Sequence, residues 1–256
     1  MPQQHGAWAM LVVPLAAGVV LAGPHPWHVL LALAWLVGYL AFQAGGLLLK
    51  ARGRARYRRP VQVYGSVAAL LVVALVAVRP TLAWWAAAYT PLLTVGLVSA
   101  WRRAERSWWN DAATVSAACL LAAVAHTPAS VAAPPGPLAL VGGSVGAWQA
   151  VGLLALYFLG TVAYVKTMIR ERGNRAVLAG SLVWHVLAVP VAAVLLAADG
   201  PGRLSPTVTV PTLALFALLA ARAAVVPRRW PHATPMAIGL GEIAASAALT
   251  ALLVVA

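Results

Sequence analysis

The run Lys50-Ala51-Arg52-Gly53-Arg54-Ala55-Arg56-Tyr57-Arg58-Arg59 carries six cations in ten residues and is flanked by apolar stretches, about 27–49 before it and about 61–78 after it. Each flank is close to the ~20 residues that cross a ~30 Å hydrocarbon core, and the cationic run between them cannot enter that core. It reads as a loop between two membrane spans. The same alternation continues in both directions. Apolar stretches fall at about 6–23, 27–49, 61–78, 82–100, 111–125, 148–168, 176–197, 207–226 and 235–256. Further cation clusters close the fourth (Arg102, Arg103, Arg106), the sixth (Lys166, Arg170, Arg172, Arg175) and the eighth (Arg222, Arg228, Arg229). Sixteen of the eighteen Lys and Arg residues lie in these four clusters, leaving Arg79 and Arg203 for the other gaps. Positively charged short loops stay cytoplasmic. The pattern therefore predicts about nine spans, with the N-terminus in the cytoplasm and the C-terminus outside.

Composition agrees with a chain whose solvent is lipid. It is 62% hydrophobic and 9% charged, with a mean hydropathy of +0.87, too little polar surface to cover a soluble domain. The net charge of +13 follows the loops rather than gathering on one face with base-reading side chains, which argues against a nucleic-acid partner. Membrane lipids are the expected surroundings, with anionic headgroups of the inner leaflet beside the cationic loops. The single cysteine, Cys119, falls inside the fifth stretch and excludes a disulfide framework or a cysteine metal site. Met1-Pro2-Gln3-Gln4-His5-Gly6 has no basic n-region, so the first stretch is expected to be retained. One integral membrane domain, 1–256, is expected, its cationic loops on the cytoplasmic side.

The apolar runs are continuous rather than alternating, and in lipid each segment must satisfy its own backbone, which predicts an all-α bundle. Pro14, Pro91, Pro190 and Pro211 fall inside stretches and are expected to bend them or to pack against neighbours. Residues 127–146, with Pro134-Pro135-Gly136-Pro137, read as an external loop holding at most a short re-entrant piece. Gly142 and Gly146 have the spacing that permits close helix approach.

Five acidic residues serve the whole chain, so each needs a reason. Asp199 falls in an external loop. Glu105, Asp111 and Glu171 fall at the cytoplasmic face, and Glu242 stands seven residues into the last stretch, about 10 Å below its end. Glu242 needs a cation from another helix or a wet cavity, and Lys166 is the best cationic candidate by depth. Lys166 and Arg170 are four apart on one helix face, a possible clamp for phosphate, diphosphate or carboxylate, with Tyr164 nearby. Glu105-Arg106 and Asn110-Asp111 gather two carboxylates, a cation and an amide at the inner mouth; they could hold a polar headgroup, or Asn110 and Asp111 could simply cap a helix. Too few carboxylates gather for a dedicated Mg²⁺ site, and no metal is assigned. His5 opens the first stretch and His185 lies in the middle of the seventh, where a hydrogen-bonded core role outweighs a proton relay.

Gln4-His5-Gly6-Ala7-Trp8-Ala9-Met10, Glu105-Arg106 with Asn110-Asp111, Lys166 with Arg170-Glu171-Arg172, and Ile238-Gly239 with Glu242 resemble the YwiC-like family of bacterial membrane proteins over nearly the whole chain. That resemblance implies an integral membrane protein and no catalytic assignment. In architecture the chain is more remotely similar to UbiA-type prenyltransferases, which implies a cytoplasm-facing site for a prenyl diphosphate. It departs from their Asp-rich Mg²⁺ motifs, having cations after the second and sixth spans with Glu171 the single acid there.

Three functions fit these features. The first is a membrane-embedded transferase or cyclase that binds an anionic lipid or isoprenoid phosphate in a cytoplasm-facing cavity. Catalytic candidates are His5, Asp111 and Glu242; substrate-binding candidates are Lys166, Arg170, Asn110, Glu105, Arg106 and Tyr164. The second is a non-catalytic scaffold or accessory subunit. The third is a small-anion or metabolite transporter, with His185 and Glu242 as midplane residues. No cofactor is implied.

Overall fold

The computed structural model describes residues 5–128, 137 and 139–256, with side chains from Trp8 onward. The side chain of His5 and the run Pro134-Pro135-Gly136 lie outside the described residues. Among them the chain is helical without strands: α1 (His5–Ala22), α2 (Trp27–Lys50), α3 (Arg58–Val78), α4 (Ala86–Trp101), α5 (Trp108–Ala125), α6 (Val145–Ile169), α7 (Arg175–Ala197), α8 (Thr209–Arg229) and α9 (Pro235–Val254). Short 3₁₀ turns at Pro80–Trp85 and Pro206–Val208 lead into α4 and α8, and another lies at Ala139–Val141.

Seven helices, α2, α3, α4 and α6 to α9, are long and apolar enough to cross a membrane. α1, apolar over Trp8–Ala22, is shorter, and α5 opens on the polar pair Asn110-Asp111. α5 is an interior helix, whereas α1 keeps Trp8, Val12 and Val20 exposed on its outer side. α5 packs against α1, α4 and α6, and α1 also packs against α9. A helix sheathed by protein needs less apolar surface than one facing acyl chains. The approach of α1 to α5 is close because of Gly18: a Cβ there would lie 2.5 Å from the carbonyl oxygen of Ala122.

Four helix starts are set by side-chain caps. Ser107 accepts from the Asn110 amide, Ser144 from Ala147, Asn174 from Ala176 and Val177, and Thr234 from Ala237. The observed helix starts correct three expectations. α5 begins at Trp108 rather than 111, so Asn110 and Asp111 are first-turn residues and the cap is Ser107. α6 begins at Val145, and Gly142 lies before it at φ +63°, so Gly142 and Gly146 do not share a helix face. Gly146 instead sits against the backbone of Gly202, its amide donating to that carbonyl oxygen at 3.1 Å. Pro211 is the third residue of α8, where no backbone donor is needed; the proline inside that helix is Pro227.

Helix ends fall into two sets. At the cation-rich end, Lys50 pairs with Glu105 at 2.7 Å, Arg103 donates to the Lys50 carbonyl, and Lys166 reaches Asp111 and the Arg106 carbonyl. At the opposite end, Arg79 donates to the Thr127 carbonyl at 2.6 Å and His28 meets the Ala125 carbonyl at 3.1 Å. There, too, buried Gln149 donates to the Leu195 and Ala198 carbonyls and accepts the Leu204 amide, fastening α6 to α7 and to the approach of α8.

Candidate functional site

α6 is the buried axis of the charged end, and it carries polar residues on two faces. Toward α5, Lys166 is buried, with its ammonium 2.5 Å from Asp111, 3.1 Å from the Arg106 carbonyl oxygen and 3.8 Å from the centre of the Trp108 ring. Asn110 donates to the Glu105 carbonyl at 2.7 Å, and Glu105 pairs with Lys50. Asn110, Asp111, Glu105, Arg106 and Lys166 thus come together, and each carboxylate already faces a cation. Arg170 closes α6 as an exposed residue, while the Lys166 ammonium is engaged on the α5 side.

The other face belongs to Glu242. Its carboxylate is buried at 6% exposure; Oε1 meets Arg222 at 2.7 Å, and Oε2 accepts from the hydroxyls of Thr161 (2.7 Å) and Tyr157 (3.1 Å). The Tyr157 hydroxyl also lies 2.9 Å from the Glu242 carbonyl oxygen. The expected cation for Glu242 is therefore Arg222 and not Lys166, which points from α6 toward α5. The guanidinium of Arg222 stacks over Tyr164, 4.3 Å from the ring centre. His185 packs beside Gly160 on the same side of α6; its Nδ1 lies 2.7 Å from the Ser181 carbonyl oxygen, which can only accept, so that nitrogen carries the proton.

Arg222 joins this buried group to an opening. A groove of about 720 Å³ runs between the charged ends of α8 and α9, lined among others by Tyr164, Arg222, Arg229, Trp230 and His232. Arg222 Nε makes no hydrogen bond to any described residue, and Nη1 looks toward Gly241, where a Cβ would sit 3.8 Å away. Cations at one mouth, an apolar floor including Ile238 and a wall of Tyr164 suit an anionic group attached to an apolar body. One signal for this pairing lies in the spacing: Arg222 is seven residues from the end of α8 and Glu242 seven from the start of α9, so a tight connection places them at equal depth. No three His, Cys, Asp or Glu side chains among the described residues gather in a way that could hold a metal ion.

Fold and site together define a multi-pass helical membrane protein with its charges collected at one end and one buried ion pair opening onto a groove. The family model for YwiC-like proteins matches residues 1–126. The uncharacterised protein YwiC of Bacillus subtilis (strain 168) is 34% identical, with 73% of this chain and 74% of that protein covered. The chain belongs to the YwiC-like family. An uncharacterised protein of Haemophilus influenzae is 27% identical over 72% of this chain and 73% of its own length. No solved structure matches.

Proposed function

We propose that this protein binds an anionic lipid or isoprenoid phosphate at the charged end of the α8–α9 groove, as the binding step of a membrane-embedded transferase or cyclase. The observation that carries this reading is the groove itself: two cationic or protonatable side chains, Arg229 and His232, at the mouth of an otherwise apolar opening, with Arg222 about 10 Å further in. An Arg fork pairs well with phosphate oxygens, and Nη1 of Arg222 borders the groove beside Gly241. The charged end faces the cytoplasm of a bacterial inner membrane in this reading, because cationic loops stay inside. Tyr164 and Glu242 then belong to the site, Glu242 as the group that holds Arg222. Lys166, Asp111, Asn110, Glu105 and Arg106 hold α5 against α6, and Arg170 completes the polar surface of the same end. The neutralised α5–α6 cluster equally suits the scaffold reading, in which polar residues only tie helices together.

Native mass spectrometry of gently purified protein separates the two. A co-purifying phosphate-bearing lipid is expected on the wild type and is lost when Arg229→Gln and His232→Gln are combined. An identical lipid complement on both proteins rejects the anionic site.

A further inference from the structure

The charged groove is one of two cavities on the same helix pair. A second, of about 430 Å³, lies at the far end of the α8–α9 seam and is apolar, lined among others by Leu215, Leu218, Ala248, Ala251 and Leu252. The two share one face. Along α8 the row Arg229, Val226, Arg222, Leu218, Leu215, Pro211 steps by three and four residues, as a single helix stripe must, and covers about 27 Å at 1.5 Å per residue. Along α9, Gly241, Ala248 and Ala251 form the facing row. Between the cavities Arg222 and Leu218 are one turn apart on α8, and on α9 Ala244, small and exposed, stands between Gly241 and Ala248.

Depth decides what can fill both. Trp230, exposed beside Arg229, belongs in the headgroup layer, which fixes that end of the seam at the membrane surface. Leu218 is eleven residues deeper than Arg229, about 16 Å, which is the middle of a ~30 Å core. The far cavity therefore lies in the opposite leaflet. A glycerophospholipid whose phosphate sits at Arg229 and His232, at the membrane surface, has acyl chains that stop near the midplane and leave that cavity to other lipids.

We propose that the seam holds one long-chain polyisoprenyl phosphate, its phosphate at Arg229 and His232 and its chain running inward past Arg222 and across the midplane into the far cavity. This rests on the anionic-site reading above and adds the chain. A single chain longer than one leaflet is the feature that matches two cavities aligned on one helix pair, and the cations at one end alone fix its direction.

The test uses the full chain in phosphatidylcholine nanodiscs, with geranyl, geranylgeranyl and undecaprenyl monophosphates and dioleoyl phosphatidate as probes, read by native mass spectrometry. Undecaprenyl monophosphate is expected to bind roughly tenfold or more tighter than geranyl monophosphate or phosphatidate, a gap of about 1.4 kcal/mol or more. Ala248→Trp, which fills the far cavity, is expected to remove that advantage and leave geranyl monophosphate unchanged; Ala251→Phe serves the same purpose if the first variant melts early. Equal affinity for all four probes, or no effect of filling the far cavity, overturns the chain assignment while leaving the charged end intact. Binding indifferent to Arg229→Gln with His232→Gln overturns the charged end and the inference with it. A dimer mass that Ala248→Trp dissociates shows the seam to be covered by a second copy, which also overturns it.

Discussion

Arg222 turns Nη2 to Glu242 and Nη1 toward the groove, and the buried pair depends on both of its members. A buried ion pair stripped of one partner leaves an uncompensated charge, which costs about 3–5 kcal/mol, whereas replacing both by apolar side chains removes the desolvation as well. Glu242 keeps two hydroxyl donors, Tyr157 and Thr161, on its other oxygen. Arg222→Met and Glu242→Leu are each expected to lower stability by about 3 kcal/mol, and the double variant by much less than their sum. Thermal melts or denaturant titration in detergent measure this; additive losses would show that the two side chains do not act as a pair. The need of Glu242 for a cation was legible from its depth alone. Its partner was not, because Arg222 stands with Arg228 and Arg229 in sequence and reads as a loop cation, while the helix carries it seven residues inward of Arg229. Tyr157 and Thr161 were invisible for a different reason: hydroxyls inside an apolar run gain meaning only when the facing helix is known.

Among the helices, the positions of all nine followed from where apolar runs stop, but their ends did not. Hydropathy marks what lies in hydrocarbon, whereas Ser107 and Ser144 set the starts of α5 and α6 within stretches that also hold tryptophans of the interfacial layer. Close packing was equally hard to read, since the chain has 21 glycines and only some lie at contacts. Gly18 and Gly38 separate the two cases. A methyl at Gly18 would meet the Ala122 backbone at 2.5–2.9 Å, so Gly18→Ala must push α1 from α5 and is expected to cost about 1–3 kcal/mol. Nothing lies within 4 Å of a Cβ at Gly38, in the interior of α2, so Gly38→Ala is expected to stabilise by about 0.5–1 kcal/mol through helix propensity. Melting temperatures that move in opposite directions are the expected outcome; a shift in the same direction would mean that α1 and α5 are not held by that contact.

At the scale of the whole molecule, charge and packing bear on one question, which way the bundle faces. The loops Lys50–Arg59 and Arg102–Arg106 are brought to one end by the pairs Lys50–Glu105 and Lys166–Asp111, so those cations act on orientation as one block. The opposite end has Arg79, whose guanidinium donates to Thr127, and Arg203, which is paired with Asp199. Little free positive charge remains there to compete for the cytoplasm. The single native thiol gives a clean background for labelling, because Cys119 is 1% exposed in the core of α5. Cysteine introduced at Asp199, whose carboxylate is exposed, is expected to react with a membrane-impermeant maleimide in intact cells. Cysteine at Arg54, exposed between α2 and α3, is expected to react only after the membrane is opened. Labelling of both in intact cells, or of Arg54→Cys alone, would turn the bundle over. The groove mouth at Arg229 and His232 would then face outward, and the cytoplasmic supply of a phosphate-bearing ligand could not reach it.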